Sequence, residues 1–403
     1  MKPQVTRPAD RWSPLYFLAS VGAGGLAVTF FMYLMFWVKH PGQPVPVFED
    51  IQAALATASP LFSATIYLAL AGIAVFAAMN LYLLVWNLRR TGAFLRSETG
   101  AALAAGQGQT QMTALPLALA MSINGMFILG LVFVPGLWGV VEYLFPLALI
   151  AFAAVGVLAL RQVGRYVVRV IGHGGFDWKA NNSLSQLLPA FALSMVGVGL
   201  AAPAAMSTVK ATAGVALVLA SFFLVIAVIY GAVKLVLGVR SMLEHGVAVE
   251  QAPTLLIVVP MVTVLSILLV RLDHALHVHF GGHSTPADML VFLTRALSVQ
   301  LGFTLFGLTI LSATGYIRRF LTGSETSVGS YALICPGVAL SVLMHFWINK
   351  GLVAVGLIAK FSTAYWVLSG VAVALQLSMI LLLLVLNRRH FLARRAPAQV
   401  PAE

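Results

Sequence analysis

The chain has 403 residues, of which 60% are hydrophobic and 9% charged. Soluble domains average about 25% charged residues, so the composition excludes a soluble globular protein. The formal net charge of +12 is spread over short segments between apolar runs. That excludes a compact nucleic-acid-binding domain and reads instead as a membrane-orientation signal with attraction to anionic lipid.

A bilayer-spanning helix needs about 20 mostly apolar residues. Ten stretches meet this, and the predicted spans are 14–38, 62–87, 113–135, 138–160, 186–207, 211–238, 252–272, 288–314, 330–352 and 364–387. The first run is too long for a cleavable signal peptide and lacks a small-residue cleavage site. The predicted fold class is an all-α integral membrane protein. It has an N-terminal segment 1–13, a ten-helix domain 14–387 and a tail 388–403.

Between spans 1 and 2, the connection 39–61 holds Pro41, Pro44, Pro46 and Pro60 and predicts a short interfacial helix near Ile51 to Ala58. The Gly-Gln stretch at 106–109 predicts a flexible linker. After span 4, Arg161, Arg165 and Arg169 follow at i, i+4, i+8 and predict a helix end running into lipid headgroups.

The spans fall into five pairs. Odd spans carry proline and small residues: Pro14 with Gly22, Gly24 and Gly25; Pro116 with Gly125 and Gly130; Pro189 with Gly197, Gly199 and Pro203; Pro253 and Pro260; Pro336 with Gly337. Among even spans only the fourth has a proline, Pro146. Proline kinks a helix, and small residues let helices approach closely. Five such helices predict a shared central axis backed by five plainer ones. Pro203, Pro260 and Pro336 are the expected kinks, because the other prolines sit near span starts.

Basic residues set the orientation. Eighteen of the 24 lie in the N-terminal segment or at the ends of even spans: Lys2, Arg7, Arg11, Arg89, Arg90, Arg96, Arg161, Arg165, Arg169, Lys179, Lys234, Arg240, Arg318, Arg319, Arg388, Arg389, Arg394 and Arg395. Five lie on the other side: Lys39, Lys210, Arg271, Lys350 and Lys360. Both termini are therefore expected in the cytoplasm, with the chain in an inner (plasma) membrane.

Specific residues carry a resemblance. Span 1 reads Phe17-Leu-Ala-Ser-Val-Gly22-Ala-Gly24-Gly25-Leu26-Ala27. Span 5 runs from Leu187-Leu-Pro189-Ala-Phe191 to Val196-Gly197-Val-Gly199, and span 9 reads Tyr331-Ala-Leu-Ile-Cys335-Pro336-Gly. These resemble helices one, five and nine of the tellurite-resistance/C4-dicarboxylate transporter and slow-type anion channel family. The resemblance implies five helical hairpins around a central pore, odd helices lining it, and a homotrimer. It also implies transport of small inorganic anions, oxyanions or dicarboxylates. The family plugs its pore with a phenylalanine on helix nine, where this chain has Cys335. Another aromatic (Phe17, Phe127 or Phe191) would then occlude the pathway, or the pore is wider.

No acidic residue lies deep in a span, which argues against a cation pump. The expected lining is hydroxyl and amide groups, Ser20, Ser122, Asn124, Ser194, Thr263, Ser266 and Ser341, beside Gly24 and Pro336. Three basic residues are anion-attracting candidates: Arg295 inside span 8, and His345 and Lys350 near the outer end of span 9. Arg295 alternatively snorkels to the membrane surface. His274, His277, His279 and His283 fall within ten residues after span 7 and form a candidate metal or pH-sensing loop. No cofactor is expected, and no nucleophile and base constellation indicates an enzyme. Two other readings stay open: a haem-free, quinone-linked respiratory subunit, and a proton-coupled exporter using His345.

Overall fold

A computed structural model describes residues 7–174 and 176–393. Lys2, Arg394 and Arg395, with the rest of 1–6 and 394–403, lie outside the described residues. Among the described residues there is no strand, and ten helical spans are long and apolar enough to cross a membrane. The α-helical parts of these spans are α1 (Phe17–Trp37), α2 (Pro60–Leu95), α3 (Ala114–Phe133), α4 (Val141–Val167), α5 (Leu188–Met206), α6 (Lys210–His245), α7 (Val258–Phe280), α8 (Pro286–Ala313), α9 (Ile334–Phe346) and α10 (Thr363–Asn387), with 3₁₀ and π turns completing several of them.

Every predicted span corresponds to one helix, but several helices outrun the apolar stretch. At 36 residues each, α2 and α6 are about 54 Å long, more than the roughly 30 Å hydrocarbon core. Arginine at a helix C-terminus complements the dipole and does not stop the helix. Arg89, Arg90, Arg161 and Arg165 therefore sit on helices.

The predicted interfacial helix is present as Phe48–Thr57. The expected linker at 106–109 is not free. It lies between the short helix Glu98–Ala105 and the 3₁₀ turn Gln107–Thr113. Arg169 Nη1 donates to the Gly106 carbonyl at 2.6 Å, and Gln186 Nε2 to the Gln107 carbonyl at 3.0 Å.

A tertiary pattern separates odd from even helices. Each odd helix packs on the next (α1 on α3, α3 on α5, α5 on α7, α7 on α9), and α9 returns to α1, closing a ring of five. Each even helix lies outside, against its preceding odd helix and the following one. Every residue of the most apolar window of α5 is buried, against 22% of that of α10.

The Gly22-Ala-Gly24-Gly25 run is what closes the ring at α1. A Cβ at Gly22 would lie 2.9 Å from Ile334, and one at Gly25 2.9 Å from Val338, both on α9. A Cβ at Gly24 would lie 2.7 Å from Met121 on α3 and 3.0 Å from Asn80 on α2.

The prolines act differently from the expectation. All five inner helices are entered through a 3₁₀ segment: Pro14–Tyr16, Gln107–Thr113, Ser185–Leu187, Val249–Leu256 and Val328–Leu333. Pro260 and Pro336 each occupy the third position of their α-helix, where a missing N–H leaves no bond unmade. They are therefore not mid-helix kinks. Pro203 lies inside α5 and Pro146 inside α4.

Candidate functional site

The 3₁₀ entrances converge on the face that carries most of the basic residues. A cavity of about 70 Å³ opens there, lined from all five inner segments: Leu15 and Leu18; Gln111; Ser185, Leu188 and Phe191; Glu250, Gln251, Pro253, Thr254, Ile257 and Pro260; and Gly329, Ala332 and Cys335. Its rim is polar and already bonded. Ser183 Oγ donates to Gln251 Oε1 at 2.5 Å, and the Leu184 N–H to Thr254 Oγ1 at 3.1 Å. Glu250 is the carboxylate among the lining residues. Leu18, Phe191 and Cys335 are the deeper, apolar part, and all three are buried.

Helix periodicity extends these lining faces beyond the cavity. At 100° per residue, positions seven or eleven apart fall within about 20° of each other. On α5 the face of Leu188 and Phe191 continues through Met195, Val198 and Ala202. These five keep 3–8% exposure, whereas most of the other residues of α5 are at 0%. On α9 the face of Cys335 continues through Val338, Val342 and Phe346. On α7 the face of Ile257 and Pro260 continues through Val264 and Ile267 to Arg271.

Of the five inner α-helices only α7 holds formally charged residues, Arg271 and Asp273. Arg271 lies about 16 Å along α7 from Pro260. Its Nη1 donates to the Val198 carbonyl of α5 at 2.7 Å, on the face identified above. A guanidinium has five donors, and among the described residues Val198 is the one acceptor that Arg271 meets. Asp273 points around the helix from Arg271 and accepts from Ser284 Oγ at 2.6 Å. The chain thus places one cation against an otherwise apolar inner face.

Most hydroxyl candidates serve the bundle and not its axis. Ser20 Oγ donates to the Asn80 carbonyl of α2 at 2.9 Å. Ser194 Oγ donates to Ala190 on its own helix at 2.8 Å. Thr263 Oγ1 donates to the Ala339 carbonyl at 3.0 Å and accepts from Gln300. Asn124 donates to Ala120 at 3.0 Å, and Ser266 is buried. Ser122 and Ser341 are buried with unpartnered hydroxyls. Near Ser122, the buried Gly125 faces open space, since a Cβ there would meet nothing within 4 Å.

The aromatic candidates separate clearly. Phe17 is buried against Trp12 at 6.0 Å, and Phe127 packs on Phe145 of outer helix α4 at 6.1 Å. Phe191 is the one on the cavity.

The basic candidates scatter. Arg295 is exposed on outer helix α8, away from the inner ring. His345 is wholly buried between α1 and α9, not at a mouth. Lys350 is exposed in the π-helical turn Trp347–Val353 after α9, close enough for its charge to act on His274. On the same face, burial and the neighbouring Lys39 charge push the Lys360 ammonium below the ordinary lysine range.

The histidine cluster does not assemble. His274, His277 and His279 ride on the last turns of α7, not in a loop. His277 Nδ1 bonds the Gly282 carbonyl at 3.0 Å, and His279 Nε2 the Ser207 carbonyl at 2.9 Å. The His277 and His283 rings are 6.3 Å apart. Among the described residues no three His, Cys, Asp or Glu side chains are placed to hold a metal ion.

No protein-family model matches the sequence, and no curated protein is significantly similar to it. Sequence reasoning missed Arg271 because it counted as one of five flanking positives. The available signal was its spacing: it lies eleven residues after Pro260 and on an odd span.

Proposed function

We propose that the chain is a passive anion channel, or channel-like transporter, for small inorganic anions, oxyanions or dicarboxylates. The single observation that supports this best is Arg271, a guanidinium with free donors on the inner face of a ring of apolar helices. Moving an anion through a low-dielectric passage is opposed by desolvation, and a fixed cation offsets part of that cost without binding charge permanently. In this reading the pathway runs from the five-helix cavity past Leu18, Phe191 and Cys335 to Arg271, and leaves near Lys350. The apolar stretch at Phe191 and Cys335 is the constriction. The protein would sit in an inner membrane with both termini in the cytoplasm, as the basic residues indicate, and the family resemblance adds a homotrimer.

Flux from proteoliposomes under an imposed voltage tests the reading, comparing chloride, nitrate, sulfite and malate. Efflux of at least one of these, reduced in Arg271→Gln, is expected. A folded protein that passes none of them refutes the proposal.

A further inference from the structure

The junction of α1, α9 and α10 holds a titratable group that the pathway above does not use. His345 is wholly buried, and neither ring nitrogen has a protein partner. Three rings of α1 surround it: Phe36 lies nearly parallel at 6.4 Å, and Tyr33 and Trp37 lie edge-on at 6.0 and 6.2 Å.

The surroundings are wired but incomplete. Tyr33 donates to Gln376 Oε1 of α10 at 2.6 Å, while Gln376 Nε2 is buried with no acceptor. Ser341, one turn before His345, also has a buried, unpartnered hydroxyl. Trp37 Nε1 donates to the Tyr365 hydroxyl at 3.0 Å, Tyr365 donates to Asn349 Oδ1 at 3.0 Å, and Asn349 Nδ2 donates to the His345 carbonyl at 2.8 Å. That chain fixes the turn between His345 and the exposed Lys350. Buried polar groups are seldom left unbonded, and a polar site with several open groups suits water.

We propose that His345 is a proton-binding site and that its protonation raises anion conduction, an inference that rests on the conduction reading. An imidazolium would place a second positive charge in the inner ring. It directly precedes Phe346, which shares the inner face of α9 with Cys335. The titratable groups facing the ring are Tyr33 from α1 and, across Asn349, Tyr365 from α10. Lys350 follows on its own segment.

The test is chloride flux from proteoliposomes compared at about pH 7.5 and about pH 4. Wild type is expected to conduct about threefold faster or more at the lower pH. His345→Gln and His345→Asn, either of which suffices if the other does not fold, should bring that ratio to about one. The double variant His274→Asn/His277→Asn should keep the wild-type ratio. A pH-independent wild type overturns the proposal, as does a ratio that survives at His345→Gln or vanishes in the double variant. Absence of flux at both pH values would instead overturn the conduction reading itself.

Discussion

The two ends of the inner ring are built in opposite ways. At the basic face the five helices splay into a cavity with a polar, mutually bonded rim and an apolar floor, and its carboxylate is Glu250. Toward the other face the inner surface identified above is apolar up to Arg271, with Lys350 and His274 beyond it. The ion pairs Arg7 with Asp10, Arg240 with Glu244 and Arg319 with Glu325 lie on the basic side. The abundant positive charge there is partly neutralised by these pairs. The scarce positive charge on the inner face is left open. A charge count by side therefore reports orientation, whereas a single cation on the correct helix face reports chemistry.

The largest effect should come from the packing both ends share. A Cβ at Gly199 would lie 2.2 Å from the Phe152 ring, so Gly199→Leu forces α5 away from α4. Overpacking of this kind costs about 1–3 kcal/mol, read as a lower midpoint in thermal size-exclusion profiles. An unchanged midpoint would mean that the ring yields more easily than its glycine contacts require.

Arg271→Gln keeps a donor for the Val198 carbonyl and removes the charge. Anion flux at low salt should fall by about tenfold. Flux that matches wild type would erase the contrast between the two ends. Cys335→Phe adds bulk to a cavity wall shared with Leu18 and Phe191, and should reduce flux by about threefold or more. If it has no effect, the constriction lies elsewhere.

The smallest effects should be opposite in sign at the two mouths. Lys350→Ala should lower flux and Glu250→Gln should raise it, each by less than about twofold and only at low ionic strength, since both groups are screened. A change of the same sign in both would show that the two mouths do not act on one pathway.

Much of this was legible in the residues. Ten spans, their pairing and the helix near Ile51 follow from hydropathy and proline placement. Spans measured by hydropathy end where charge begins, however, and α2, α6 and α7 continue past that point. This is why three of four histidines moved from a loop onto a helix.

The hydroxyl candidates failed for a related reason. In an apolar bundle a serine or threonine finds a carbonyl on its own or a neighbouring helix, as Ser194, Ser20 and Thr263 do. Polarity alone therefore does not mark a lining position.

By itself the sequence determined the membrane class, the number of helices and which five are small and proline-bearing, because these depend on composition and short-range backbone rules. Only the tertiary structure decided which face of each inner helix turns inward. It alone set Arg271 against Val198, closed α9 onto α1 through Gly22 and Gly25, and sealed His345 among Tyr33, Phe36 and Trp37. Those outcomes depend on contacts between segments tens to hundreds of residues apart, and no local pattern encodes them.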